Sequence, residues 1–326
     1  MSGTPLSEPA AASAFAATRD AFAAAVQGPP MEVPLVRCAL LIAQAERPVL
    51  DVDAYEQRID AIAEEAQNRL QVTEGDPLPR RAVPLHEFFF DELGFQGDDE
   101  HYGSLSTLLL SDVLDTRRGM PVTLALLYVE ICRRAGLPAD VVGLPGHVIA
   151  RLGDPPQSPE LSNTYGNSFE SSEALALVDV FAGGRLLSTE DCHSIVHRIY
   201  GGRAALRPHT LTAITPRQTL QRIIANLQGR SLEEGNEERA SRATELLLAL
   251  FPWDLDGIRD RGMRHERLGR YAEAIPDLEC YVRHRPAAPD TRTVAESLRT
   301  AHSHQRESEH LARPYEAEGP IPNETH

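Results

Sequence analysis

Side chains able to do covalent chemistry are few and scattered in this chain of 326 residues. Cys38, Cys132, Cys192 and Cys280 lie far apart, and none belongs to a CxxC pair or a Cys/His ligand cluster. The spacing predicts free, mostly buried thiols in a reducing compartment, with no structural metal site and no bound cofactor. Amine chemistry is excluded, because all 32 basic residues are arginine. Without lysine there is no Schiff base, no pyridoxal-phosphate anchor and no lysine-bearing phosphate loop. The codon usage of a GC-rich genome, which also enriches alanine, is the simplest account of that bias.

The most informative stretch is Arg117-Arg118-Gly119-Met120-Pro121-Val122-Thr123-Leu124-Ala125. Pro121 suits the first turn of a helix whose apolar stripe is Leu124, Leu127, Tyr128 and Ile131, with Gly136 and Pro138 marking its end. Arg117 and Arg118 are expected to pair with Asp112 and Asp115 rather than to bind an anion. Before this helix, a block from Leu35 to Leu70 is helical with an interruption near Pro48. An aromatic helix carrying Phe88, Phe89 and Phe90 is expected in the core, and a further helix runs from Ser104 to Arg117. After it, Ala139 to Leu144, His147 to Leu152 and Ala176 to Phe181 read as strands. Asp154 to Glu173 reads as a polar loop that covers a groove. Ser188 with Asp191 caps another helix, and from Thr215-Pro216 onward the pattern is helical again. Tyr271, Ala274 and Pro286 sit where a tetratricopeptide unit places such residues.

The net charge of -16 argues against a nucleic-acid or anionic-membrane partner, and no apolar run is long enough to span a bilayer. The Ala-rich stretch from Ala10 to Val26 contains Arg19 and Asp20 and lacks a basic start, so it reads as a loosely docked helix and not as a signal peptide.

The run Gly119 to Ala125, continued through Cys132-Arg133-Arg134-Ala135-Gly136-Leu137-Pro138-Ala139, resembles the nucleophile helix of transglutaminase-like proteins. Within that superfamily the chain resembles the SirB-type bacterial branch, which joins a transglutaminase-like core to a C-terminal tetratricopeptide region. The segments Phe89-Phe90-Asp91-Glu92-Leu93-Gly94-Phe95, Pro145-Gly146-His147-Val148, Asp179-Val180-Phe181-Ala182-Gly183-Gly184 and Arg259-Asp260-Arg261-Gly262 carry the likeness further. It spans roughly Leu35 to Ala301, with a departure at Thr107-Leu108, where Asn-Ser is usual. The resemblance implies an α+β fold with a papain-like core. The expected divisions are a flexible segment over 1–33, the transglutaminase-like domain over 34–205, tetratricopeptide-like helices over 206–305 and a disordered tail over 306–326.

In active members of the superfamily a cysteine opens the buried helix, where the helix dipole and a histidine lower its pKa, and an aspartate completes the triad. Carried onto this sequence, His147 matches the histidine, Asp179 the aspartate and Pro121 the cysteine. Proline has no nucleophilic atom, so acyl-enzyme chemistry has no starting point there. Cys132 follows Pro121 by eleven residues, about 16 Å along the helix, too far to substitute. Cys192 and Thr123 stay open as stand-ins. His147 reads equally as a hydrogen-bonded strand histidine or as part of a retained groove, and Asp179 as its orienting partner or as a turn cap. The resemblance therefore implies a cytoplasmic, non-catalytic module that binds a protein or peptide partner through the groove and the tetratricopeptide-like helices. The alternatives are a hydrolase or transferase in which His147 activates water and Asp179 orients it, and a purely structural assembly protein.

Overall fold

The computed structural model describes residues 7–29, 31–70, 78–153, 176–201, 203 and 211–312, so the loop expected between Asp154 and Glu173 lies outside the described residues. The chain divides into two units, Met1–Leu250 and Phe251–His326.

The first unit begins with α1 (Glu8–Ala25), α2 (Leu35–Glu46), α3 (Val52–Leu70) and α4 (Leu78–His86). A π-helical turn (Glu87–Glu92) and β1 (Gln96–Gly97) follow, then α5 (Leu105–Leu108), α6 (Leu110–Thr116), β2 (Arg118–Gly119) and α7 (Pro121–Arg134). The strands β3 (Ala139–Leu144), β4 (His147–Leu152), β5 (Ala176–Asp179) and β6 (Arg185–Leu187) form an antiparallel sheet in that order. The helices α8 (Thr189–Tyr200), α9 (Pro216–Glu233) and α10 (Glu237–Leu250) complete the unit.

Eleven of the 14 residues of α7 are buried, so it is apolar nearly all round and must be enclosed. It packs on β3 and β4, with α3 and α9 also against it. Both faces of the sheet are covered. Val142, Leu144, Ile149, Leu177 and Leu187 cluster with Cys192, Ile195 and Val196 of α8. Strand alternation leaves Val141, Val148, Ala150 and Val178, all buried, for the face against α7. Capping is local and legible: Ser188 and Asp191 form a reciprocal capping box, and so do Thr215 and Gln218.

The second unit holds α11 (Leu255–Arg267), α12 (Tyr271–His284) and α13 (Thr291–Ala312). A Cβ on Gly262 would stand 2.9 Å from side-chain atoms of Asp277 and Leu278, so glycine permits close approach of α11 to α12. Arg261 forks onto Asp277 at 2.6 and 2.7 Å, and Ala274, Leu278, Tyr281 and Val294 form the core between the helices.

Several expectations are corrected. The segment over 1–33 carries α1, which buries Phe22 and Val26 one turn apart and packs on α2 and α10. The compact units divide at Leu250–Phe251, and the Leu220, Ile223, Ile224 and Leu227 stripe of α9 is buried within the first unit, where α9 packs on α2 and α7. The last helix continues through 306–312 before the described residues end. The expected helix from Ser104 to Arg117 is two, broken where Leu109 turns extended, and β5 stops at Asp179.

The close approach at Gly184 gives a test. Gly183 has φ +66° and open space about it, so Gly183→Ala costs about 1 kcal/mol of backbone strain. Gly184 has φ +81°, and a Cβ there would overlap the rings of His86 and Phe90. Gly184→Ala is expected to cost about 2 to 4 kcal/mol in urea unfolding followed by circular dichroism, and equal losses at the two sites would contradict this packing.

Candidate functional site

One helix start and two turns converge. Met120 precedes α7 in extended conformation (φ -75°, ψ 159°), and Pro121 occupies the first turn as its fixed φ favours. The Met120 amide donates to the Thr107 carbonyl at 2.8 Å, which ties the helix start to α5. The β3–β4 hairpin turns through Pro145-Gly146, with Gly146 at φ +70°, so His147 is the first residue of β4. The β4–β5 register sets Ile149 opposite Asp179, which leaves His147 diagonal to Asp179 on the same face.

His147 Nε2 and Asp179 Oδ1 are 3.1 Å apart, with 11% and 10% of the side chains exposed. Asp179 Oδ1 also accepts the Ala182 amide at 3.2 Å, and its backbone carbonyl accepts the Gly184 amide at 2.9 Å. The two roles read for Asp179, orienting His147 and capping the turn, are thus held by one side chain. Burial pushes the Asp179 carboxyl up, but the hydrogen bond and charge attraction of His147, with the Ala182 and Phe181 amides, outweigh it and hold the pKa below the ordinary value.

Phe181 stands edge-on to His147 (6.3 Å, 88°) and to Tyr102 (5.9 Å, 82°). Gly97 pairs with Gly119 just before α7 and donates its amide to the Phe181 carbonyl at 3.2 Å. A Cβ on Gly97 would fall 2.5 Å from that oxygen, so this glycine joins the helix start to the Asp179 turn. A cleft of about 190 Å³ opens here, lined by Tyr102, Pro121, Val122, His147, Arg222 and Asn226 among others. Arg222 Nη1 donates to the Leu144 and His147 carbonyls at 3.2 and 3.3 Å, clamping both sides of the hairpin turn.

Neither stand-in nucleophile lines this cleft. Thr123 is fully buried and donates to the Leu108 carbonyl at 2.9 Å. Cys192 is fully buried in the cluster beneath the sheet, and burial, then the Asp191 and Asp179 carboxylates, push its thiol up to about 12. Burial likewise raises Cys132 far above the range of a reactive thiol. Phe88, Phe89 and Phe90 are core residues, all buried.

Among the described residues Arg117 and Arg118 form no direct ion pair with Asp112 or Asp115, although Asp115 attracts the Arg117 charge. Asp112 pairs with Arg47 at 2.9 Å and Asp115 with Arg58 at 2.7 Å, because α6 presents these carboxylates toward α2 and α3. Arg117 adopts a left-handed conformation (φ 63°) and lays its guanidinium over Phe95 at 4.6 Å. Among the described residues no three His, Cys, Asp or Glu side chains gather as a metal site.

Sequence reading did not find Tyr102, Arg222 or Asn226. Arg222 reaches the cleft from α9, and nothing local distinguishes it from any other helical arginine. Gly143 is the indirect signal: a Cβ at this mid-strand position would stand 2.8 Å from Arg222 Nη2.

This arrangement, a buried helix opening beside a His-Asp pair on a small antiparallel sheet, is accompanied by a family match. The chain belongs to the transglutaminase-like superfamily, whose model matches residues 53–225, and a tetratricopeptide repeat model matches residues 227–299. It is similar to the UPF0162 protein of Xylella fastidiosa strain Temecula1, 29% identical over 78% of this chain and 85% of that protein. It is also similar to the UPF0162 protein of Vibrio cholerae, 27% identical over 82% and 90% of the two chains. The UPF0162 protein YchA of Escherichia coli K12 is 26% identical over 84% and 95%. No solved structure matches the chain.

The Asp179 environment sets a pH dependence. A carboxylate with depressed pKa stabilises the fold above its unfolded pKa of about 4 and loses that contribution as pH falls through the folded value. Asp179→Asn is therefore expected to cost about 1 to 2 kcal/mol at pH 7, a deficit that shrinks below about pH 4. Thermal unfolding across pH measures it, and a deficit that does not vary with pH would contradict an ionised Asp179 in the fold.

Proposed function

We propose that this protein is a transglutaminase-like pseudoenzyme that works as a binding or regulatory module. Its cleft beside His147 holds a peptide-like segment, and the tetratricopeptide helices offer a second protein-binding surface. One observation carries the reading: Pro121 lines the cleft where the superfamily's cysteine belongs, beside an intact His147–Asp179 hydrogen bond. The buried Cys132 and Cys192 and the backbone-bonded Thr123 support it, because none can supply the missing nucleophile.

Assignment to the SirB-type branch rests on the proline at this position and on the joined tetratricopeptide region. A cytoplasmic setting is supported by the four free cysteines. Among the described residues no helix is long and apolar enough to cross a membrane.

The second reading, a hydrolase or transferase without a cysteine, draws on the 3.1 Å contact that would let Asp179 orient His147 as a general base on water. The two readings separate in one assay. The full chain is incubated with a glutamine-containing peptide, with and without an amine acceptor, and ammonia release and peptide mass are followed. The binding reading expects unchanged peptide. Turnover that disappears in His147→Ala would replace it with the catalytic reading.

A further inference from the structure

Arg222 reaches the wall of the cleft from α9 in a chain with 48 acidic residues. It is half-buried on the wall of the cleft, yet no carboxylate pairs with it among the described residues. Its two hydrogen bonds, to the Leu144 and His147 carbonyls, both come from Nη1. A guanidinium has five N–H donors, so the donors on Nη2 and Nε remain without a protein acceptor among the described residues. The group stays charged even though burial lowers its pKa.

The start of α7 lines the same cleft and also carries free donors. Met120 offers no side-chain cap to α7 and Pro121 has no N–H, so the amides of Val122 and Thr123 have no partner among the described residues. Val122 lines the same cleft as Arg222. Asn226 stands one helical turn from Arg222 on the same face of α9, and among the described residues no acidic side chain lines the cleft. Met120, Pro121, Val148 and Ala225 give it an apolar side. The volume of about 190 Å³ is enough to take the end residue of a peptide-like segment.

Resting on the binding reading above, we infer that the cleft takes the free C-terminal residue of a peptide. Its carboxylate sits between the Arg222 guanidinium and the first amides of α7, and its apolar side chain lies on Met120 and Val148. The fork of an arginine matches a planar carboxylate, and helix-start amides favour an anion. An inorganic anion would leave the apolar side unused.

The test uses the full chain and a mixture of acetylated tripeptides ending in apolar residues, with free or amidated C-termini, followed by ligand-observed and amide NMR. The free-acid mixture is expected to bind and shift the Val122 amide, and amidation to weaken binding about tenfold or more. Arg222→Gln is expected to lose a similar factor and Arg222→Lys less. Because Arg222 also clamps the hairpin, Asn226→Asp is the companion variant. It leaves the clamp in place, sets a carboxylate beside the guanidinium, and is expected to weaken the free acid about tenfold while sparing the amide. Equal binding of acid and amide forms, or undiminished acid binding in Asn226→Asp, overturns the carboxylate site and leaves the binding reading standing. No binding of either form overturns both.

Discussion

The site depends on the burial of α7 against the small sheet. Eleven buried residues leave that helix one position, and its first turn must then emerge beside the Pro145-Gly146 hairpin. Three short ties fix the register of the helix start. The Met120 amide and the Thr123 hydroxyl are bonded to the Thr107 and Leu108 carbonyls, and Gly97 links the preceding strand to the Phe181 turn. Each tie uses backbone groups that would otherwise be buried without partners, so the same bonds that satisfy the fold also position the site.

That coupling offers a physical reason for His147 and Asp179 to stay together without a nucleophile beside them. Asp179 caps the turn into Ala182 as well as holding His147, and Arg222 clamps the carbonyl of His147. Loss of either side chain would leave a buried polar group unmatched. The pair is therefore evidence of a preserved cleft, and chemistry must be argued from the third position. There, on the proposed reading, proline replaces the nucleophile and removes one amide hydrogen while keeping the helix start intact. The absence of lysine matters here too, since a guanidinium keeps its charge in a half-buried wall where an amine would lose it more readily.

Much of this fold was legible because its signals are local. Pro121 marks a helix start by its fixed φ, Ser188 with Asp191 is a capping box, and the apolar runs of β3 and β4 reflect a sheet buried on both faces. Gly262 in the Arg259-Asp260-Arg261-Gly262 segment is explained by the close approach of α11 to α12. Illegible features depend on partners distant in sequence. Asp112 and Asp115 chose Arg47 and Arg58 over the adjacent arginines because helix packing sets which side chains meet. The π-helical turn, with the Leu93 amide reaching the Phe88 carbonyl, buries three successive phenylalanines that helical periodicity alone would not place together. His147 and Asp179 were found only through resemblance, and Arg222 needed the fold itself.

On the proposed reading, catalytic geometry persists around a position that lacks its nucleophile. The pKa of the thiol introduced by Pro121→Cys measures this most directly, read from pH-dependent alkylation with mass-spectrometric detection of the modified peptide. With the helix start and His147 in place, that thiol is expected to titrate well below the ordinary value of about 8.5, and to return to it when His147→Ala is added. An ordinary pKa with His147 present would contradict the account.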